Sequence, residues 1–401
     1  MVFVRTAQGS RGAPLTWSAI AALLFRLVQS CFCNGRGQKA RLQVYVDDPL
    51  LALRGTYARR RRLAARYLAI LIVLGVRLAY HKAQLGDQVV WIGVEIRVAA
   101  WDVHASIPLQ KLQDLLSIIE TMEARNVILV KELHSLTGKC TNVATLFYMW
   151  RPFLTQLWAA LSETQTRVPA NCVWLKQIER TLSWLRAFIS GQSCTISRTF
   201  TYDASFGRRI AMTITCDASI WGYGGWIAVD DVPLAYFSDD IQSSDEVMLG
   251  HKTGDTTGQQ GFEAMALLIA MRLWGHLWRS KRICLRIRSD NIGALTVFSA
   301  CKGAPGAMNA VAREYSLDAA EGSYEPVVVA HLPGVTNGIS DALSRRNDPR
   351  YRDNCSPPAL LKHAERVFPP ARPLSWWKAR VNPVTPNSSK AGGVTAGWLQ
   401  T

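Results

Sequence analysis

The sequence predicts a multidomain chain of α+β and α/β class, and three observations predict it. Its 401 residues are 49% hydrophobic and 19% charged, enough apolar side chain for two or three cores and too little charge for a disordered chain. Residues 106–200 place Leu109, Leu112, Leu115, Leu116 and Ile119, and later leucines and tryptophans, at helical spacing. Residues 201–350 alternate short β-rich runs with helical ones, the pattern of a mixed sheet flanked by helices.

The elements follow in order. Within residues 1–105 an apolar helix runs from Thr16 to Gln29. Leu42–Val46 and Leu50–Leu53 are strands around Asp47-Asp48, which reads as a hairpin with the acids at its turn. Arg59 to Arg62 open a helix that runs to Val76, and Val89–Ile96 is one strand. Ile210–Asp217 is a strand ending on a carboxylate. Glycines at 222, 224 and 225 precede the return strand Trp226–Val229, and the acidic stretch Asp239–Gly258 reads as a loop. Gln260–Arg279 is a helix carrying Glu263 near its start, and Ile283–Ile287 is a strand leading to Asp290-Asn291. Pro326–Ala330 runs into His331, and Ser340 caps a helix that holds Asp341. Trp150, Trp158, Trp174 and Trp184 sit at helical positions and are expected in the core. The prolines and Asn387-Ser-Ser-Lys of residues 349–401 read as a poorly ordered tail.

Lys and Arg number 46 against 30 Asp and Glu, a net charge of +16 that fits a polyanionic partner. The excess is uneven: residues 1–105 carry 15 basic and 5 acidic side chains, whereas 201–350 carry 14 and 17. The basic part is therefore suited to holding nucleic acid and the acidic part to holding cations. The longest apolar run, Tyr67–Val76, is too short to span a bilayer, and no signal peptide is visible, so an intracellular protein without membrane attachment is expected. Nine dispersed cysteines fit reduced thiols; Cys31 and Cys33 have no second pair at zinc-site spacing.

Asp217, Glu263, Asp290 and Asp341 fall at a strand end, an early helix turn, a second strand end and a helix start. Strand ends are where open α/β sheets place function. Converging acids raise one another's pKa unless cations join them, and oxygen-only ligands suit Mg²⁺, with Mn²⁺ as a substitute. Two such ions, about 3.5–4 Å apart, can clamp the attacking and leaving oxygens of a phosphodiester.

These residues carry a resemblance. Thr215-Cys-Asp217-Ala-Ser with Gly222-Tyr-Gly-Gly225, then Glu263, Ser289-Asp290-Asn291, His331-Leu-Pro-Gly-Val-Thr-Asn337 and Asp341-Ala-Leu-Ser-Arg345, resemble the RNase H domain of retroelement reverse transcriptases over about residues 210–346. The wording is similar to that of tyrosine-recombinase (DIRS-like) retrotransposons and of other long-terminal-repeat elements. The resemblance implies an RNase H-like mixed sheet, with Asp217, Glu263, Asp290 and Asp341 as ligands of Mg²⁺ or Mn²⁺. It implies that His331 assists proton transfer or product release. Tyr45-Val-Asp47-Asp48 resembles the polymerase hairpin of the same family, with Asp47 as the matching metal ligand. Gln8-Gly9-Ser-Arg-Gly-Ala-Pro14 with Trp17 resembles the segment lining the nucleotide and template site. Leu78-Ala-Tyr-His-Lys82 resembles the segment facing the triphosphate, and Trp91-Ile-Gly-Val94 the primer grip.

The implied organisation is a partial reverse transcriptase palm at 1–105, a thumb and connection at 106–205, an RNase H-like domain at 206–348 and the tail at 349–401. Implied partners are an RNA–DNA hybrid or a primer–template duplex. Two departures bear on activity. No Asp or Glu precedes Asp47, so the first polymerase carboxylate and the fingers are missing, and an N-terminally truncated element that does not polymerise alone is expected. Pro49 follows the acids and biases Asp48 toward extended backbone. Asp239–Gly258 is longer and more acidic than the family's pattern, and Arg279-Ser-Lys-Arg282 is the one candidate for its basic substrate handle. The expected function is metal-dependent cleavage of the RNA strand of RNA–DNA hybrids; the alternative is an inert nucleic-acid-binding remnant.

Overall fold

The computed structural model describes residues 12–32, 40–100, 102–162, 168–191, 197–201, 210–278, 283–321, 327–350 and 357–380. The chain divides into two compact units, Met1–Ser106 and Ile107–Thr401. Among the described residues no helix is long and apolar enough to cross a membrane.

The first unit opens with α1 (Ala13–Ser30), started by Pro14 in its first turn. Ala21, Phe25 and Val28 lie on one face of α1 and are buried with Leu42, Tyr67 and Leu71. β1 (Ala40–Tyr45) and β2 (Asp48–Leu53) form an antiparallel hairpin in which Tyr45 pairs with Asp48 and Val44 with Pro49. Pro49 therefore leaves the register intact, as an edge strand permits. The turn is strained elsewhere, because Val46 takes a φ of 55°, a left-handed value that a β-branched residue rarely adopts. α2 (Tyr57–Val73) is capped by Thr56, whose hydroxyl accepts from the Arg59 N–H.

The single strand expected over Val89–Ile96 is two. β3 (Gln88–Trp91) and β4 (Val94–Val98) pair back to back, and β5 (Asp102–Ser106) extends the meander. Ile92 and Gly93 both take positive φ (45° and 77°), which closes a two-residue hairpin turn inside an unbroken apolar run.

The second unit begins with helices α3 (Leu109–Glu123), α4 (Val130–Leu146), α5 (Arg151–Ser162) and α6 (Leu175–Ile189). β6 (Val127–Leu129) and β7 (Cys172–Trp174) pair beside them, and β8 (Ser197–Thr201) follows. Trp150, Phe153, Trp184 and Phe188 stack in the helical core, with ring centroids 5.0–5.8 Å apart. Trp158 and Trp174 are exposed, contrary to the core expectation. The helical segment lies in the same compact unit as the sheet that follows, and Asn309 Nδ2 donates to Pro152 O (3.2 Å) and Arg151 Nη1 to Ala300 O (3.0 Å), bonding it to the helices that flank that sheet.

That sheet comprises β9 (Ile210–Ser219), β10 (Gly222–Val229), β11 (Val232–Asp240), β12 (Ile283–Ser289), β13 (Val327–His331) and β14 (Glu365–Arg366), in spatial order 13-12-9-10-11-14. β9, β10 and β11 run antiparallel in sequence, while β12 is parallel to β9 and β13 to β12. β9 alternates Met212, Ile214, Cys216 and Ala218 with Thr213, Thr215, Asp217 and Ser219, and all eight are buried. The first set belongs to the main core, with α8 (Gln259–Trp274), α9 (Ile292–Ala300) and α10 (Ala307–Glu321). Thr215, Asp217 and Ser219 of the second set are bonded to α11 (Gly338–Ser344) through the hydroxyls of Ser340, Ser344 and Ser219.

Two expectations change here. The acidic stretch read as a loop contains α7 (Ser243–Leu249), closed by a capping box between Gln242 and Asp245. Residues 357–380 belong to the domain rather than to a loose tail. β14 pairs with β11, Trp377 is fully buried, and the guanidinium of Arg372 is clamped by Asp239 and Asp245 (2.5 and 2.8 Å).

Candidate metal centre

The parallel strands bring three sequence positions to one end of the sheet. Asp217 lies near the end of β9, Asp290 directly follows β12 and His331 ends β13. Glu263 comes from the early part of α8 and Asp341 from α11. Gly224 pairs with Asp217 across the ladder, and a Cβ there would lie 2.4 Å from Ser344 N. Glycine therefore lets α11 rest on bare strand backbone. The last turn of α11 is then tied down, because Ser219 Oγ donates to Ser344 O (2.8 Å) and Ser238 Oγ to Leu343 O (2.7 Å).

Asp217, Glu263 and Asp290 each offer a carboxylate oxygen, and the three oxygens lie within 4.8 Å of one another. Asp217 Oδ2 accepts from Ser344 Oγ at 2.7 Å. Glu263 Oε1 accepts from Gln259 Nε2 at 3.1 Å, and the same amide donates to Ala218 O at 2.5 Å, which links the start of α8 to β9. Glu263 Oε2 is buried with no hydrogen-bond partner among the described residues. Asp217 and Glu263 are both 6% exposed.

Burial, and then the charges of Asp290 and Asp341, push the Asp217 carboxyl up to about 7, against the pull of Ser344 and Arg345. Burial and the charges of Asp217 and Asp290 push Glu263 well above the carboxylate range. A cluster of this kind favours protons or a cation over three bare charges. The donor set is all oxygen, one donor atom is unsatisfied, and the spacing suits a hard divalent ion. The residues present therefore fit a hard divalent cation.

The other site residues of the sequence reading fall as follows. Asp341 is not in the three-acid group: its Oδ1 accepts from Arg345 Nε at 2.6 Å and its side chain is 43% exposed, although its charge still acts on Asp217. His331 is exposed, with Nε2 3.2 Å from Asp290 O. Tyr45, Asp47 and Asp48 are exposed on the β1–β2 hairpin, and Trp91 Nε1 donates to Asp48 O at 3.0 Å. Lys82 is exposed in a short 3₁₀ turn. Gln8 and Gly9, and the segment Arg279–Arg282, lie outside the described residues. Asp47 belongs to no group of three metal-ligating side chains among the described residues.

Three contributors went unassigned in the sequence: Ser344, Asn337 and Gln259. Their signal was helical spacing. Gln259 precedes Glu263 by one turn, and Asn337, Ser340 and Ser344 share one face of α11.

No protein-family model and no curated protein matches the chain. Among solved structures it is similar to the foamy viral protease–reverse transcriptase dRH in complex with double-stranded DNA. The identity is 14% over 82% of this chain and 51% of that one, with a TM-score of 0.37. It is likewise similar to the foamy viral protease–reverse transcriptase in complex with an RNA/DNA hybrid, at 15% identity over 83% and 40% and a TM-score of 0.36. A third, the same protein in complex with double-stranded DNA, gives 14% over 83% and 61% and a TM-score of 0.35. The chain thus spans about half the length of these structures.

Proposed function

We propose that the second unit is a metal-dependent nuclease of RNase H type that cleaves the RNA strand of RNA–DNA hybrids. The observation that carries this reading is the three-acid group with its buried, unpartnered Glu263 oxygen at the carboxyl ends of parallel strands. The sequence motifs around Asp217, Asp290, His331 and Asp341 support the reading, as does a sheet in which β9, β10 and β11 are antiparallel and β12 and β13 run parallel to β9.

Asp217, Glu263 and Asp290 would hold Mg²⁺ or Mn²⁺. A cation held there would supply positive charge to the phosphodiester under attack. Ser344 and Gln259 orient Asp217 and Glu263 by the bonds described above. His331, exposed beside Asp290, is positioned to exchange a proton at its ring with solvent or leaving group. In the first unit the exposed acids Asp47 and Asp48 gather no third carboxylate among the described residues, so that unit is assigned duplex binding and no polymerisation by itself.

The test is a labelled RNA–DNA hybrid incubated with the protein and Mg²⁺, alongside Asp290→Asn. Cleavage that needs the metal and disappears in the variant is expected. No cleavage by the wild type, with hybrid binding retained, would make the chain an inert binding remnant. Primer extension on an RNA template by the wild type would overturn the assignment of the first unit.

A further inference from the structure

We propose that Asn337 is a positioning residue that sets how Asp290 meets Asp217 and so prepares the pair for a divalent cation; the inference rests on the metal-centre reading above. Asn337 stands at the N-cap of α11, where an asparagine side chain ordinarily accepts from first-turn N–H groups. It makes no such bond. Its side chain is buried, and its Nδ2 lies 3.4 Å from each of three acceptors: Asp217 Oδ1, Asp290 Oδ1 and Cys216 O. Its Oδ1 is buried without a partner among the described residues. An asparagine that forgoes its cap and leaves its own carbonyl unbonded, yet directs its amide between two acids, is placed for those acids.

The two carboxylates differ in what else holds them. Asp217 also receives Ser344 at 2.7 Å. For Asp290 the amide of Asn337 is the one side-chain donor among the described residues. The turn that carries Asn337 closes on the other oxygen, since a Cβ on Gly334 would lie 3.1 Å from Asp290 Oδ2. The same segment holds the backbone: His331 Nε2 is 3.2 Å from Asp290 O, and Leu332 N–H donates to Ser289 O at 3.0 Å. Residues 331–337 therefore hold Asp290 at its main chain and at Oδ1, and pass close to Oδ2. Partners that orient ligating carboxylates typically contribute 10–100-fold to metal affinity.

The experiment uses the full chain, with Mn²⁺ and Mg²⁺ titrated by calorimetry and Tm read with and without metal. Asn337→Ala is expected to weaken binding by about tenfold or more and to shrink the metal-induced rise in Tm. Gly334→Ala, on the exposed turn, crowds Asp290 from the other side and is expected to act in the same direction; it carries the test if Asn337→Ala does not fold. Ser340→Ala is the structural control, because Ser340 is buried on the same helix but donates to Thr215 O (3.2 Å). It is expected to lower both Tm values equally and to leave metal affinity unchanged. If the wild type binds metal and both Asn337→Ala and Gly334→Ala bind within about twofold of it, the positioning role is overturned alone. An equal loss of affinity in Ser340→Ala also overturns it. A wild type that binds no metal overturns the metal centre and this inference with it.

Discussion

Asp239 and Asp245 stand beside Arg372, whereas Asp217, Glu263 and Asp290 stand beside one another. Both groups are wholly or largely buried in the second unit. In the first, Arg372 is 1% exposed and donates to Asp239, to both oxygens of Asp245 and to Asp240 O. Burial works against the Arg372 charge, but the bonds and charges of Asp245 and Asp239 outweigh it and raise its pKa. In the second group the bonded side chains are hydroxyls and amides, and the guanidinium of Arg345, whose charge acts on Asp217, is itself bound to Asp341. The difference separates an acid cluster balanced by an arginine from one whose carboxylates could hold a cation. The chain supplies its own counter-ion to the first, from 127 residues downstream of Asp245; among the described residues no guanidinium or ammonium is hydrogen-bonded to Asp217, Glu263 or Asp290.

The largest effect expected from this contrast is at Arg372. Arg372→Ala strands two buried carboxylates and is expected to cost about 3–5 kcal/mol of stability by urea denaturation, with no rescue by Mg²⁺. Rescue by Mg²⁺ would erase the distinction between the two clusters.

Asp217→Asn should do the reverse. Removing one charge from the uncompensated group is expected to stabilise the metal-free protein at about pH 8 by roughly 2–3 kcal/mol, while the metal-induced rise in Tm disappears. A metal-free variant less stable than the wild type would mean that the acids are already compensated.

A pH series sharpens the same point without mutation. The Asp217 carboxyl is raised from its ordinary range near 4 to about 7. Between those values the folded chain holds a proton that the unfolded chain has released. The contribution is therefore full below about pH 4 and is lost as the pH climbs to about 7. A bound cation replaces that proton. The rise in Tm on adding Mg²⁺ is expected to be large at about pH 8 and small at about pH 5.5, and to be flat with pH in Asp217→Asn.

How much of this was legible in the sequence follows from the range of the interactions. The convergence of Asp217, Glu263 and Asp290 could be anticipated because each lies near the end of an element whose period is local and within a motif that carries the resemblance. Asp341 followed the same logic but is drawn to Arg345, one turn along its own helix. The counter-ion of Asp239 and Asp245 was illegible, since nothing near residue 245 announces an arginine in a proline-rich segment at 372. Without it, the acids of that stretch read as solvated and the helix α7 was missed. Trp158 misled for the opposite reason: helical spacing gives a face, but which face is covered depends on packing between distant elements. Trp174 is not helical at all, since it ends β7. The hairpin turn at Ile92-Gly93 was hidden by an apolar run that continues through it.

The smallest effect is expected where acids are exposed. Asp47 and Asp48 are exposed on the β1–β2 hairpin, where water screens two like charges and no third carboxylate joins them among the described residues. Asp47→Asn is expected to change stability by less than about 0.5 kcal/mol, with no change in Mg²⁺-induced Tm. What could make the hairpin more than a surface turn is its backbone: Val46 is held at a φ of 55°, and Trp91 Nε1 fixes Asp48 O at 3.0 Å. Strain of this kind persists when its surroundings over-determine it. Val46→Gly relieves the φ penalty and is expected to stabilise the first unit slightly. If instead it lowers affinity for an RNA–DNA hybrid while Tm rises, the turn geometry is kept for the duplex and the comparison between exposed and buried acids extends to binding as well as to metal.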